Sequence, residues 1–169
     1  MKKLNIRIVL IQLIGMIFFV NGIMQLRFYT VADEIFFAKN HFHYQKLEHW
    51  TRFFPTKEES FNFWPNVYIW IFYGLSFGIL IISYLNWKNK LSALNTILVA
   101  IVMYVLLRLK FFRREVISHF FNPFRTLFSN DFAIQCLIEG AAFTLIGVLI
   151  LYISISPSLF NSEETLIQN

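Results

Sequence analysis

The chain has 169 residues, of which 57% are hydrophobic and only 15% are charged. With a mean hydropathy of +0.55, this composition lies outside the range of soluble domains and excludes water as the main solvent. The formal net charge is +5, but the basic residues are interleaved with phenylalanines, which indicates membrane-surface anchors and excludes a nucleic-acid site.

Four apolar windows approach or exceed the length that crosses a hydrocarbon core of about 30 Å, which needs about 20 helical residues. They cover residues 8–26, 67–85, 91–108 and 132–155. The third window is short and extends to Arg108, whose guanidinium can reach the membrane surface. The sequence therefore predicts an all-α fold, a polytopic bundle of four transmembrane helices in one domain, residues 1–155, followed by a polar tail, residues 156–169.

The first window could also be read as a secretory signal peptide. Its core, however, contains Gln12, Asn21 and Gln25, and no small-x-small cleavage pattern follows it. We therefore interpret it as a retained helix.

Two of the three connections are rich in aromatic residues and are predicted to form interfacial caps with amphipathic helices. The first cap, 28–64, contains no glycine and is divided by Pro55, and Pro65 is predicted to begin the second transmembrane helix. In the second cap, 111–128, apolar residues recur every four positions, with a bend expected at Pro123. The caps are expected to cover one mouth of the bundle.

The remaining connection, 86–90, is a tight turn that makes the second and third helices an antiparallel hairpin. Lysines and arginines precede the first helix and follow the second, which predicts both termini in the cytoplasm. The arginine-rich segment 108–125 argues for the opposite orientation. If it is translocated, it is retained to hold anionic headgroups; if it is cytoplasmic, it is an ordinary anchor.

All six glycines lie inside the apolar windows. Small residues let helix backbones approach closely in lipid, where no hydrophobic force drives helices together. This pattern favours packing within the chain over a homodimer contact. The glycines form one G-x-x-x-G pair and two pairs spaced by seven residues: Gly74 and Gly78, Gly15 and Gly22, and Gly140 and Gly147.

Glu139 is the one residue within the cores of these windows that carries a full charge. A carboxylate near the centre of a transmembrane helix costs about 2.5–3.5 kcal/mol on insertion scales, so it should face the interior, be protonated or have a partner. Several polar residues fall in the same half of the membrane and are candidate ligand contacts beside Glu139: Gln135, Arg108, Asn21, Gln25, Tyr68, Tyr73 and Tyr104.

Two interpretations of this polar set stay open. One is a structural network in which Arg108 or Asn21 satisfies Glu139. The other is a pocket for an amphiphile, with its apolar body among the helices and its polar head near Glu139. A proton relay is less favoured, because one acidic residue does not make a path.

The sequence gives little support for a metal site, a thiol redox site or a known catalytic motif. His41, His43 and His49, with Glu48, could suggest a metal site, but an H-x-H without a second patterned pair is common by chance, and no metal is predicted. Cys136 is the single cysteine, so a Cys-x-x-Cys pair is excluded, and it is interpreted as a packing residue. No phosphate loop, Ser/His/Asp set or pair of carboxylates is evident.

Three stretches resemble DoxX-like membrane proteins. They are the run from Ile6 to Leu26 with Gly15 and Gly22, the paired glycines of residues 73–81, and Glu139-Gly140-Ala141-Ala142. Gln25 stands where the family has a lysine, and the acidic residue that often precedes the second helix is absent. The four-helix plan with an aromatic cap is also similar to the EXPERA group of sterol isomerases and lipid-binding proteins, but that group's paired acidic residues are not evident.

The resemblance implies a small multi-pass protein of the cytoplasmic (inner) membrane, in some members a subunit of quinone-linked sulfur oxidation or redox-stress complexes. We therefore expect a protein that binds a lipid or a quinone, or a subunit of a membrane complex, with membrane lipids and other subunits as partners. The alternatives are a membrane enzyme that uses Glu139 as acid or base on an amphiphile, and a purely structural assembly subunit.

Overall fold

The computed structural model describes residues 4–41, 51–109 and 129–155. These ranges contain no strand, which confirms the all-α class. The second cap and the polar tail lie outside the described residues. The helices named here are α1 Ile6–Thr30, α2 Ala32–His41, α3 Lys57–Tyr68, α4 Trp70–Lys88, α5 Ala93–Arg108 and α6 Phe132–Ile153, and residues 51–53 are also helical.

Three helical segments are long and apolar enough to cross a membrane, which indicates a membrane protein. They are α1, α6 and the 32-residue segment Lys57–Lys88, in which α3 and α4 follow one another with a single turn residue, Ile69, between them. The apolar helix α5 has 16 residues, about 24 Å of helix, and is shorter than these three.

Polar residues at the helix starts explain where the helices begin. The Asn5 side chain accepts hydrogen bonds from the first backbone N–H groups of α1, and Asp131 does the same for α6. Thr56 and Glu59 form a reciprocal capping box that starts α3 at Lys57. The expectation that a helix begins at Pro65 is therefore wrong: Pro65 lies inside α3, because the capping box has already started the helix.

α1 is the central helix of the described structure. α6 packs along α1 and also touches α2, whereas α4 and α5 pack on α1 and on each other. Gly22 of α1 lies against Thr144 of α6, and Gly140 lies against Leu26, so these two helices are antiparallel. The apolar core between α1, α4 and α5 contains Val9, Met16, Val20, Leu75, Ile82, Val99 and Met103.

The described part of the first cap is folded against the C-terminal end of α1. A second apolar cluster there joins Met24 of α1, Ile35 of α2 and Val67 of α3. Outside it, the rings of Phe37 and Phe53 stack with centroids 4.5 Å apart. The described part of the connection from α1 to α4 thus packs on α1 through apolar side chains.

Candidate functional site

The candidate ligand residues separate into two places in the structure. Glu139, Asn21 and Gln25 lie on α6 and α1 and are all buried, with 4%, 8% and 2% of their surfaces exposed. Arg108 and Tyr104 are exposed on α5. Because α5 and α6 occupy different faces of α1 and share at most marginal contact, these two groups do not form one site.

The register of α1 and α6 sets the level of Glu139. Since Gly22 faces Thr144 and Leu26 faces Gly140, Glu139 lies at the level of Arg27. Gln25 is two residues, or about 3 Å of helical rise, nearer the N-terminus of α1. We call Asn21, Gln25, Arg27, Glu139 and Thr144 the inner cluster.

Several buried polar atoms of the inner cluster have no hydrogen-bond partner in the described part of the chain. They are Asn21 Nδ2, Gln25 Oε1, Arg27 Nε and Thr144 Oγ1. Burying such an atom without a partner costs about 1–3 kcal/mol. The inner cluster therefore offers donors, an acceptor and a hydroxyl between two otherwise apolar helices, which suits a small polar group that both accepts and donates.

Arg27, a member of the inner cluster, and Gln135, one turn before Glu139 on α6, are also held by local contacts. Arg27 Nη1 donates to Thr30 Oγ1 at 3.0 Å, and its guanidinium lies 5.7 Å from the centre of the Trp70 ring. Gln135 Nε2 donates to the Ser129 carbonyl at 2.6 Å. Through this hydrogen bond Gln135 holds the backbone of Ser129 against the first turn of α6.

Arg108 lies at the end of α5 in a second place, the Arg108 groove. Its Nε and Nη2 donate to the Tyr104 hydroxyl at 3.3 and 3.0 Å. The groove encloses about 60 Å³, far less than the roughly 300 Å³ of a small-molecule pocket. Its lining consists of Tyr68, Ile71, Phe72, Tyr104, Leu107 and Arg108. Tyr73, the remaining candidate, is exposed and meets the Trp70 ring edge-on at 5.5 Å.

All six glycines lie at helix contacts, but the space around them differs. A Cβ on Gly147 would lie 2.6 Å from the Phe19 backbone nitrogen, and one on Gly22 would meet the Thr144 backbone. A Cβ on Gly74 would lie at an ordinary 3.4 Å from Ile23. The closest backbone approach is therefore in the α1–α6 pair, which also includes Gly15 and Gly140.

A polar network that the sequence analysis did not single out joins α1 to the α4–α5 hairpin. Gln12 Nε2 donates to Asn86 Oδ1 at 2.8 Å, and Asn86 Nδ2 donates to Thr96 Oγ1 at 2.9 Å. Nearby, the Asn5 backbone N–H donates to Asn95 Oδ1 at 3.1 Å. Asn86 is the first residue of the predicted turn 86–90, and Asn95 lies five residues after that turn, but neither position shows which residue of α1 its side chain meets.

The histidines considered for a metal site cannot be placed together. His43, His49 and Glu48 lie outside the described residues, and of His41 only the helical backbone is described. In the described ranges, no group of three His, Cys, Asp or Glu residues could hold a metal ion.

Three apolar helices of membrane-crossing length, with a polar cluster buried between two of them, define the class: an α-helical membrane protein. Comparison of the chain with protein-family models, with curated proteins and with solved structures finds no match.

Proposed function

We propose that the chain is a four-span, DoxX-like protein of the inner membrane that binds the polar head of an amphiphile, a lipid or a quinone, at the inner cluster. The observation that supports this most is the burial of Glu139 near Gln25, with Asn21 one helical turn nearer the N-terminus of α1. Asn21 Nδ2 and Gln25 Oε1 lack hydrogen-bond partners among the described residues. A ligand group that bonds these amides recovers part of the free energy that their burial costs.

The surroundings of the inner cluster suit an amphiphile. The residues of α6 that face away from α1 are apolar and exposed, including Leu137 and Leu145. In a bilayer these positions face acyl chains, so an apolar tail could lie along α6 while its head reaches the inner cluster. A freely soluble polar ligand would lack such a path through the hydrocarbon.

The four-span topology adds α5 to the three longer helices. Its 16 residues end at Tyr104 and Arg108, side chains that can extend to the headgroup layer, and bilayers adapt to a short helix at modest cost. Gly74 lies against Val20 and Gly78 against Met16, so α1 and α4 are antiparallel. Arg7 and Lys88 therefore lie at the same end of this pair, which supports a cytoplasmic N-terminus.

Site-specific labelling tests the span number and the orientation separately. We expect a membrane-impermeant maleimide to label Lys57→Cys and Asn130→Cys in intact cells, and Lys88→Cys only after permeabilisation, each in a Cys136→Ala background. All three positions are exposed in the structure. If Asn130→Cys, like Lys88→Cys, is labelled only after permeabilisation, then α5 does not cross the membrane. If Lys88→Cys alone is labelled in intact cells, the termini lie outside.

Ligand retention tests the role of Glu139. Native mass spectrometry of gently solubilised protein, followed by solvent extraction, should find a stoichiometric quinone or lipid. Glu139→Gln should weaken the affinity for this ligand about tenfold, as expected for a lost charged hydrogen bond, and so lower its occupancy. Glu34→Gln, the same chemical change on α2, should retain the ligand.

Other results would select the alternatives. Unchanged occupancy in a stably folded Glu139→Gln variant would remove Glu139 from recognition. Co-purifying protein chains without a small molecule would favour a membrane-complex or structural subunit. A Glu139→Gln variant that keeps the ligand but loses its turnover would identify an enzyme with Glu139 as acid or base.

A further inference from the structure

We infer that the Arg108 groove binds one anionic glycerophospholipid, with the lipid phosphate on Arg108 and an acyl chain across the apolar floor formed by Ile71, Phe72 and Leu107. The inference concerns a different place from the inner cluster and does not depend on the proposed function.

The guanidinium of Arg108 is positioned to receive an anion. In the described part of the chain it hydrogen bonds to Tyr104 alone, through Nε and one N–H of Nη2. A guanidinium carries five N–H donors in a rigid planar fork, so the donors on Nη1 stay available for a phosphate. The Tyr104 ring, 5.5 Å below the guanidinium carbon, further restricts its position. Less side-chain entropy is therefore lost when an anion binds.

The shape of the groove fits a chain lying across it and not an enclosed ligand. The groove has a volume of only about 60 Å³ and is partly open at the surface. The two tyrosine hydroxyls and Arg108 supply its polar groups, and the other lining residues are aliphatic or aromatic. A polar end joined to an apolar floor matches an amphiphile.

The depth of the groove also matches a phospholipid headgroup. Tyr68 is exposed at the end of α3, Trp70 and Tyr73 are exposed at the start of α4, and Tyr104 is exposed near the end of α5. Tyrosine and tryptophan concentrate at the level of the lipid headgroups in membrane proteins. Arg108 is thus at phosphate depth, while the ring of Phe72, 51% exposed, faces the adjoining acyl region.

Charge selects the kind of lipid. The described residues that line the groove include one cation and no acidic side chain. An anionic headgroup such as phosphatidylglycerol complements this charge, whereas the choline of a zwitterionic lipid brings a positive group next to Arg108.

Lipid titration by native mass spectrometry tests the inference on the full chain in detergent. The first bound phosphatidylglycerol should be preferred about tenfold over phosphatidylcholine with the same acyl chains, and Arg108→Gln should remove this preference. Arg7→Gln deletes the same charge at the opposite end of the helices and should change binding less than about twofold. Tyr104→Phe should weaken binding about threefold, because the guanidinium loses its hydroxyl support.

Two further variants distinguish lipid binding at the Arg108 groove from a loss of folding and from binding at the inner cluster. Phe72→Ala changes an exposed residue and should lower phosphatidylglycerol binding even if Arg108→Gln fails to fold. Glu139→Gln should leave it unchanged, so the two proposals can fail independently. Equal losses in Arg7→Gln and Arg108→Gln would overturn the inference in favour of general surface attraction, and so would equal binding of the two lipids.

Discussion

Replacing Gly22 by alanine will force α1 away from α6 and destabilise the protein by about 1–3 kcal/mol, the usual cost of overpacking. The added methyl group would overlap the backbone nitrogen of Thr144 and lie 2.9 Å from its Cα. A backbone atom cannot move aside without shifting its helix. The loss should appear as a lower unfolding temperature in detergent, monitored by tryptophan fluorescence.

Two glycines of α4 supply matched controls. At Gly74 the new methyl group would lie 3.4 Å from Val20 and Ile23, an ordinary contact, so Gly74→Ala should be close to neutral. At Gly78 it would meet the side chain of Met16, whose flexible end can move, so an intermediate loss is expected. Equal destabilisation by the Gly22 and Gly74 variants would contradict the argument that backbone contact decides the cost.

The helical segments could be predicted because their length and apolar composition are properties of the sequence alone. The window 8–26 lies inside α1, which extends to Thr30 before α2 begins. The start of α3 was missed because Pro65 suggested a boundary, whereas the local hydrogen bonds of Thr56 and Glu59 set it earlier. Short-range capping decided the boundary there, not apolar content.

The candidate site was only partly predictable. Glu139 stands out in the sequence because a charge in an apolar window is costly. The position of Arg108 at the end of an apolar window also gives its approximate depth in the membrane. It does not show which other helix packs against each face of α5 or α6. That packing is set by α1, which packs with α6 on one face and with α4 and α5 on others, and so separates Arg108 from Glu139.

Asn86 was overlooked for a related reason. An asparagine at the end of an apolar window is typical of a turn. Asn86, however, is only 2% exposed, and its side chain hydrogen bonds to both Gln12 and Thr96. The pairing with Gln12 joins residues 74 positions apart, so it depends on how α4 packs against α1. No local pattern carries that information.

Asn86→Leu should therefore destabilise the protein by about 1–3 kcal/mol, because it leaves the fully buried Gln12 amide without its partner. The double variant Gln12→Leu/Asn86→Leu removes both amides and should recover part of the loss. The coupling energy from this cycle should be about 0.6 kcal/mol, the average measured for hydrogen bonds between membrane helices, and no more than about 1.7 kcal/mol.

Asn89→Ala provides the control at the same hairpin, since Asn89 is exposed and its amide bonds only the Leu85 carbonyl, at 2.8 Å. It should cost less than about 1 kcal/mol. Unfolding temperatures or denaturant midpoints in one detergent give the four corners of the cycle. Strict additivity of Gln12→Leu and Asn86→Leu would mean that the two amides do not stabilise each other. In that case α4 would be held on α1 by apolar contacts, including those of the cluster that contains Met16 and Ile82.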